Sequence, residues 1–137
     1  MKYVLDSSFV GAQIVPDEKN PLIEKMYSKI KREDEKLSPH LIVYEMANLF
    51  NNLIRRKRYT YDTVIQFFPF LAAMKLIIDS ETGIDYSKKL LRLCNDYNLS
   101  SYDAAYLELA ERKNAVLCTL DRDLQMAAKK HGVAVMK

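Results

Sequence analysis

Four acidic residues, Asp6, Glu45, Asp103 and Asp121, are the side chains of this sequence best placed to do chemistry. Asp6 and Asp121 each follow a predicted strand, whereas Glu45 and Asp103 have apolar and aromatic neighbours within predicted helices. A carboxylate among apolar groups is costly in free energy unless it is paired or binds a cation. A shared divalent cation would remove that cost, and hard oxygen ligands favour magnesium or manganese over zinc.

Each of these acids also has a purely structural interpretation. Asp6 is suited to cap a helix, and Glu45 to lie on a solvated helix face. Asp103 suits the positive end of a helix dipole, and Asp121 suits a turn. Their joint pattern favours chemistry, because the predicted fold brings two strand-end acids and two helical acids to one edge of a sheet.

The other residues with catalytic or metal-binding chemistry are scattered. Cys94 and Cys118 lie far apart in apolar stretches without a Cys-x-x-Cys spacing, so we expect buried free thiols. His40 and His131 are likewise isolated, which gives little support to a zinc site or to a histidine general base.

The composition is that of one ordinary globular domain, which we expect to span residues 1–137. Apolar residues make up 49% of the chain and charged residues 28%, and no apolar run is long enough to cross a membrane. The N-terminus reaches a charge at Asp6 and lacks a secretory signal pattern, so we expect a cytoplasmic protein. The net charge of +3 does not by itself indicate a nucleic-acid partner.

Strands and helices alternate in the predicted element order. Strands are predicted at Lys2–Leu5, near Leu37, and at Lys75–Asp79, Ala115–Thr119 and Val133–Met136. Helices are predicted from Ser7 to near Pro16, from Pro21 to the charged segment after Lys29, from Pro39 to the arginines after Ile54, from Thr60 to Ala73, from Gly83 to Tyr97, from Ser101 to Lys113, and from Asp121 to Gly132. Such alternation predicts an α/β fold with a mainly parallel sheet flanked by helices.

Some details of these helices are more specific. Pro69 should kink the helix over 60–73 or end it early, because it lacks an amide donor. The apolar residues Phe67, Phe68, Phe70 and Leu71 around it are suited either to the core or to an oligomer surface. The predicted apolar faces are Leu41, Tyr44, Ala47, Leu49, Phe50, Leu53 and Ile54 in the helix after Pro39, and Ile84, Leu90, Leu91 and Cys94 in the helix after Gly83.

Four segments in order along the chain resemble the PIN-domain family and, within it, toxin ribonucleases of the VapC type. They are YVLDSS (3–8), SPHLIVYEMAN (38–48), LSSYDAAYLELA (99–110) and LCTLDRDL (117–124). The resemblance spans almost the whole chain and implies a three-layer PIN-like fold. It also implies an enzyme that hydrolyses RNA phosphodiester bonds with Mg²⁺ or Mn²⁺.

The resemblance also implies roles for individual residues. Asp6, Glu45, Asp103 and Asp121 would be the catalytic, metal-binding acids, with Ser7 and Thr119 as supporting polar residues. Helical geometry adds Asn48, one turn after Glu45. Asp123 also lies in the last of these segments, and its role could be metal contact, helix capping or exposure to solvent.

Arg55, Arg56, Lys57 and Arg58 follow Glu45 by two to four helical turns. They are candidates for contacts with RNA phosphates, or else form an ordinary solvated helix end. The resemblance further implies a homodimer and, for a toxin, a cognate antitoxin protein that covers the site.

Three other functions share part of this pattern. A housekeeping RNA-processing PIN nuclease would share every catalytic feature, whereas a non-catalytic RNA-binding PIN module would not need to retain all four acids. A haloacid-dehalogenase-like phosphatase also has an acid after its first strand, but Asp6-Ser7-Ser8 lacks the second aspartate of that motif.

Overall fold

The computed structural model describes residues 1–137 and contains four strands and eight α-helices. The strands are β1 (Lys2–Leu5), β2 (Glu35–Ser38), β3 (Ile77–Ile78) and β4 (Val116–Cys118). The helices are α1 (Ser7–Ile14), α2 (Pro21–Tyr27), α3 (Leu41–Arg55), α4 (Tyr61–Ile65), α5 (Phe68–Ala73), α6 (Ile84–Tyr97), α7 (Ser101–Lys113) and α8 (Arg122–His131), with one 3-10 turn at Pro16–Glu18.

The strands form one parallel sheet in the order β3-β2-β1-β4. β1 is interior, and its side chains alternate between two apolar clusters: Leu5 packs with residues of α1 to α4, and Val4 packs with residues of α6 to α8. Both residues are fully buried because helices cover both faces of the sheet. The predicted three-layer α/β architecture is confirmed.

The predicted last strand, Val133–Met136, is wrong because the segment forms no regular strand. Only a single parallel bridge forms there, between Leu117 and Val135. Two hydrogen bonds hold it: Leu117 N–H donates to Ala134 O at 2.8 Å, and Met136 N–H donates to Leu117 O at 2.9 Å. The segment therefore covers the outer edge of β4 without forming a regular strand.

The predicted helix over 60–73 is divided into α4 and α5, and the division lies before Pro69. α4 ends at Ile65, and Pro69 occupies the first turn of α5. A proline is tolerated in the first turn because its missing amide donor would have no helical acceptor there. The predicted interruption is confirmed, but it is displaced upstream. Of the aromatic residues there, Phe67 is buried and Phe70 is exposed.

The buried face of α3 differs from the predicted one. Ile42, Met46, Phe50 and Leu53 are buried, and their spacing places them on one stripe of the helix. Phe50 and Leu53 were predicted correctly. Tyr44, two residues after Ile42 and so on the far side of the helix, is 65% exposed, and Ala47 is exposed as well.

The predicted inner face of α6 is also partly wrong. Leu93 is its buried residue, with Leu90 and Cys94 partly buried beside it, whereas Ile84 and Leu91 are 77% and 69% exposed. Leu90, Leu93 and Cys94 follow the helical repeat, and Leu91 lies outside it. Both cysteines are free thiols, with Cys118 buried and Cys94 partly buried. No helix of the structure has the length and apolar character to cross a membrane.

Candidate active site

Asp6 and Asp121 lie at the carboxyl ends of the neighbouring strands β1 and β4, and each caps the helix that follows. Asp6 Oδ1 accepts a hydrogen bond from Phe9 N–H at 2.8 Å at the start of α1. Asp121 Oδ1 accepts one from Leu124 N–H at 2.9 Å at the start of α8. The capping interpretation of Asp6 is therefore correct, and Asp121, which was predicted to suit a turn, also caps a helix. Each cap uses one oxygen of the carboxylate.

Burial is the main influence on the Asp6 carboxyl, and it raises the pKa to about 6. The Thr119 hydroxyl and the Phe9 amide lower this pKa, whereas the negative charges of Glu45 and Asp103 raise it further. Asp6 is thus within electrostatic range of two of the other predicted acids, although 39 and 97 positions separate them in the sequence.

Glu45 lies partly buried on α3, and two hydroxyl groups from other elements hold its carboxylate. The Tyr106 hydroxyl donates to Oε1 at 2.5 Å, and the Ser7 hydroxyl donates to Oε2 at 3.3 Å. The structure thus brings Ser7 and Glu45 together. Tyr106 was not anticipated, although its position three residues after Asp103 places both on one side of α7.

Burial and the hydrogen bond to Glu45 raise the pKa of Tyr106 well above its usual range. The phenol therefore keeps its proton and remains a hydrogen-bond donor to the carboxylate. Since Tyr106 is itself buried, with 2% of its surface exposed, it holds Glu45 from a fixed position.

Asp103 is in the first turn of α7, where Ser100 Oγ caps the helix by accepting the Asp103 N–H at 3.1 Å. Burial raises the pKa of the Asp103 carboxyl, and the charges of Asp121, Glu45 and Asp123 raise it further. The charges of acids on other elements therefore reach both Asp6, at the start of α1, and Asp103, on α7. Asp123 is exposed and adds its charge to this set.

Thr119 is fully buried at the end of β4 and fixes the loop that carries Asp121. Its hydroxyl accepts a hydrogen bond from Asp121 N–H at 3.0 Å, and its carbonyl accepts one from Gln125 Nε2 at 2.7 Å. Asn48 lies exposed on α3, one turn beyond Glu45.

The predicted basic segment has two kinds of side chain. Arg55 ends α3, and Arg56 and Lys57 follow it in an exposed turn. Arg58 is engaged on the surface with the 3-10 turn, where its guanidinium lies 2.8 Å from Asp17 and 3.4 Å from Glu18.

The chemistry of the donor set fits a hard divalent cation. Carboxylate and hydroxyl oxygens are the donors that Mg²⁺ and Mn²⁺ prefer. Neither lysine nor arginine is among the main influences on the pKa values of Asp6 and Asp103. As the side chains lie, no group of three or more His, Cys, Asp or Glu residues is arranged so that it could hold a metal ion. Binding would therefore have to draw the carboxylates together.

Comparison with known proteins gives the family of this fold. The PIN domain family model matches residues 3–130. The chain is 31% identical over 128 residues to ribonuclease VapC3 of Pyrobaculum aerophilum, a match that covers 90% of this chain and 92% of that one.

Solved structures agree in fold. VapBC2 from Rickettsia felis, bound to a DNA fragment from its promoter, superimposes with a TM-score of 0.70 at 10% identity and covers 100% of this chain and 98% of that one. VapC20 of Mycobacterium tuberculosis, a toxin that cleaves the sarcin-ricin loop, gives 0.65 at 12% identity and covers 91% and 94%. By its sequence and its fold, this chain belongs to the PIN-domain family.

Proposed function

We propose that this PIN-domain protein is an endoribonuclease of the VapC type that hydrolyses RNA phosphodiester bonds with Mg²⁺ or Mn²⁺. Asp6, Glu45, Asp103 and Asp121 would form its catalytic, metal-binding centre. The observation that carries the proposal is that four acids from different elements converge at the carboxyl edge of a parallel sheet, where ligands bind in such folds. The charges of Glu45 and Asp103 raise the pKa of Asp6, and those of Asp121 and Glu45 raise the pKa of Asp103.

The roles of the side chains follow from their contacts. Asp6 and Asp121 each have one oxygen in a helix cap and would offer the other to a cation, while Tyr106 and Ser7 hold Glu45 in a fixed orientation. A bound divalent cation supplies Lewis-acid chemistry, because it neutralises charge on the phosphate and lowers the pKa of water. One carboxylate of the centre orients or deprotonates the attacking water, so no covalent nucleophile is needed.

RNA would approach an edge that is anionic until a cation binds, so metal binding should precede productive RNA binding. The exposed Arg55, Arg56 and Lys57 follow Glu45 along α3, about 15 Å from it at the helical rise, and are the proposed phosphate contacts. Arg58 is the weakest of the four candidates, since Asp17 and Glu18 already neutralise its charge.

We further propose that the protein is a cytoplasmic homodimeric toxin with a cognate antitoxin protein. The likeness to ribonuclease VapC3 supports the toxin proposal. A housekeeping RNA-processing role would use the same site. Growth on induced expression separates the two: arrest that a neighbouring small gene relieves favours the toxin, whereas normal growth with abundant active enzyme favours the processing role.

The direct test of the reaction is incubation of a mixed RNA pool with the purified protein, with Mg²⁺ or Mn²⁺ added or withheld, followed by mapping of the new ends. We expect discrete cleavage with metal and none in excess chelator. Undiminished cleavage in chelator would contradict the mechanism, and no cleavage under any metal condition would favour a non-catalytic RNA-binding module.

A further inference from the structure

A small cavity of about 210 Å³ lies beside the acidic edge, by which we mean the edge of the sheet that carries Asp6, Glu45, Asp103 and Asp121. The cavity has no part in the catalytic proposal. Its wall includes His40, just before α3, and Tyr102, on α7. His40 is five residues before Glu45, and Tyr102 is the neighbour of Asp103. The cavity therefore opens next to the elements that carry two of the acids.

The wall of this cavity combines apolar and aromatic side chains with polar ones. Leu41, Leu90 and Ala105 supply aliphatic surface, and His40 and Tyr102 supply rings. Tyr102 is 63% exposed, which leaves its ring available to a ligand. No lysine or arginine is among the lining residues, so the cavity is unsuited to a phosphate group. Flat aromatic ligands suit such a wall.

Two acids on the loop after β3 also line the cavity. The Asp79 carboxylate is occupied by the Arg112 guanidinium, with nitrogen–oxygen distances of 2.6 and 3.1 Å. The exposed Glu81 carboxylate is a hydrogen-bond acceptor at this rim that is not engaged by Arg112. A carboxylate accepts hydrogen bonds from the amino groups of adenine, cytosine and guanine, whereas uracil has no amino group to donate.

We propose that this cavity receives one unstacked nucleobase of the RNA substrate, adjacent to the phosphate at the acidic edge. Tyr102 and His40 stack on the base, and Glu81 favours a base that carries an amino group. Proteins recognise single-stranded RNA in this way, through splayed bases that stack on aromatic rings. The inference rests on the proposed ribonuclease function, to which it adds a site for one base and a base preference.

Stacking is tested by binding, apart from cleavage. The probe is a short single-stranded RNA that contains 2-aminopurine and hydrolysis-resistant phosphorothioate linkages, whose fluorescence is quenched on stacking. We expect Tyr102→Ala to bind about tenfold more weakly, equivalent to about 1.4 kcal/mol, with loss of quenching. Tyr102→Phe should behave as wild type. The matched control is Tyr61→Ala, which removes a tyrosine of similar exposure (65%) on α4.

Base preference is tested by mapping cleavage in a random-sequence RNA pool. Wild type should disfavour uracil at one position near the cut, and Glu81→Gln should weaken that preference several-fold, because an amide can also donate to uracil. If Tyr102→Ala and Tyr61→Ala bind and quench alike, the cavity is not a base site, whatever the activity. If wild type cleaves no RNA while Tyr102→Ala alone loses quenching, the cavity proposal stands and the nuclease proposal fails.

Discussion

Asp6 is the residue at which capping, burial and proposed catalysis meet. Replacing it by asparagine keeps the helix cap, since asparagine caps as well as aspartate, but removes the charge. We expect Asp6→Asn and Asp103→Asn to stay folded, to lose most RNA cleavage and to gain less thermal stability from Mg²⁺ than wild type. Melting temperature with and without Mg²⁺, measured beside cleavage, checks this.

The control for that experiment is Asp62→Asn, which removes an exposed aspartate on α4. It should leave both cleavage and metal stabilisation unchanged. Retention of wild-type metal stabilisation and cleavage by Asp6→Asn and Asp103→Asn would show that the proposed centre is wrong.

The raised pKa of Asp6 predicts how the stability of the metal-free protein depends on pH. Its folded-state pKa of about 6 lies above the ordinary value of 3.8, so between these values the folded protein binds more protons than the unfolded chain. The free energy of unfolding should therefore fall as pH rises from about 4 to 6, by at most about 3 kcal/mol from this group.

Urea unfolding at several pH values in chelator measures that dependence. Other groups titrate over the same range, so the relevant quantity is the difference in slope between wild type and Asp6→Asn. A wild-type slope equal to that of the variant would mean that burial does not raise the pKa of the Asp6 carboxyl.

Tyr106 is proposed as a positioning residue, because its hydroxyl would act through Glu45, to which it donates a hydrogen bond. Tyr106→Phe keeps the ring but removes the hydroxyl donor, which should lower the free energy of unfolding by about 1 kcal/mol. We expect kcat for RNA cleavage to fall about tenfold with KM unchanged. The control is Tyr97→Phe, which removes a hydroxyl that pairs with His131 Nδ1 at 2.7 Å; an equal fall in kcat there would indicate a general loss of packing.

The four acids could be proposed from the sequence because each stands in a recognisable local setting at a strand end or within a helix. Tyr106 could not, because its partner Glu45 is 61 positions away and depends on how α3 and α7 pack. The engagement of Arg58 was unforeseen for the same reason, since Asp17 and Glu18 are distant in sequence.

Among the elements, α7 is tied to the loop after β3 by a partly buried ion network. Arg112 Nε lies 2.7 Å from Glu108 Oε1, and Nη2 lies 2.6 Å from Asp79 Oδ2. Glu108 is 3% exposed, so removal of Arg112 would leave a buried charge without a partner. We expect Arg112→Met to lower the free energy of unfolding by about 3 kcal/mol or more in urea denaturation.

A surface ion pair provides the comparison for that network. Arg58→Met breaks the exposed contacts with Asp17 and Glu18 and should change stability by less than about 1 kcal/mol. Similar losses in the two variants would mean that burial of Glu108 does not set the strength of the network.

Element ends were more predictable than element faces. The helix predicted from Ser101 to Lys113 has those bounds in α7, and the helix predicted to stop at Gly132 does so in α8. The left-handed backbone of Asn114 (φ 51°) and Gly132 (φ 84°) and the hydrogen bond to the Ser100 hydroxyl set these ends, and all three are local properties. The buried side of α6, by contrast, depends on packing against α7 and the sheet. Leu91 and Leu93 are chemically alike, and only that packing decides which is buried.

At the scale of the whole molecule, charge is distributed unevenly although its net value is only +3. Under the proposed function, the edge that carries the four acids would repel RNA until a cation binds. Exposed basic residues occur at the end of α3, after it, and along α6. If RNA binds specifically at Arg55, Arg56 and Lys57, the position of the positive charges should affect RNA affinity more than their number does. A comparison of two triple variants separates these effects.

The test variant replaces Arg55, Arg56 and Lys57 by glutamine, and the control variant replaces Lys88, Lys89 and Arg92 on α6, so that each loses three positive charges. Binding of a hydrolysis-resistant single-stranded RNA is measured in Mg²⁺ between about 50 and 200 mM salt. Each phosphate contact contributes about 0.7 to the slope of log affinity against log salt, so three lost contacts should reduce it by about 2 in the test variant. The control variant should keep the wild-type slope. Equal reductions of the slope in the two variants would mean that RNA binding depends on net charge alone. An unchanged slope in the test variant would mean that Arg55, Arg56 and Lys57 form an ordinary solvated helix end.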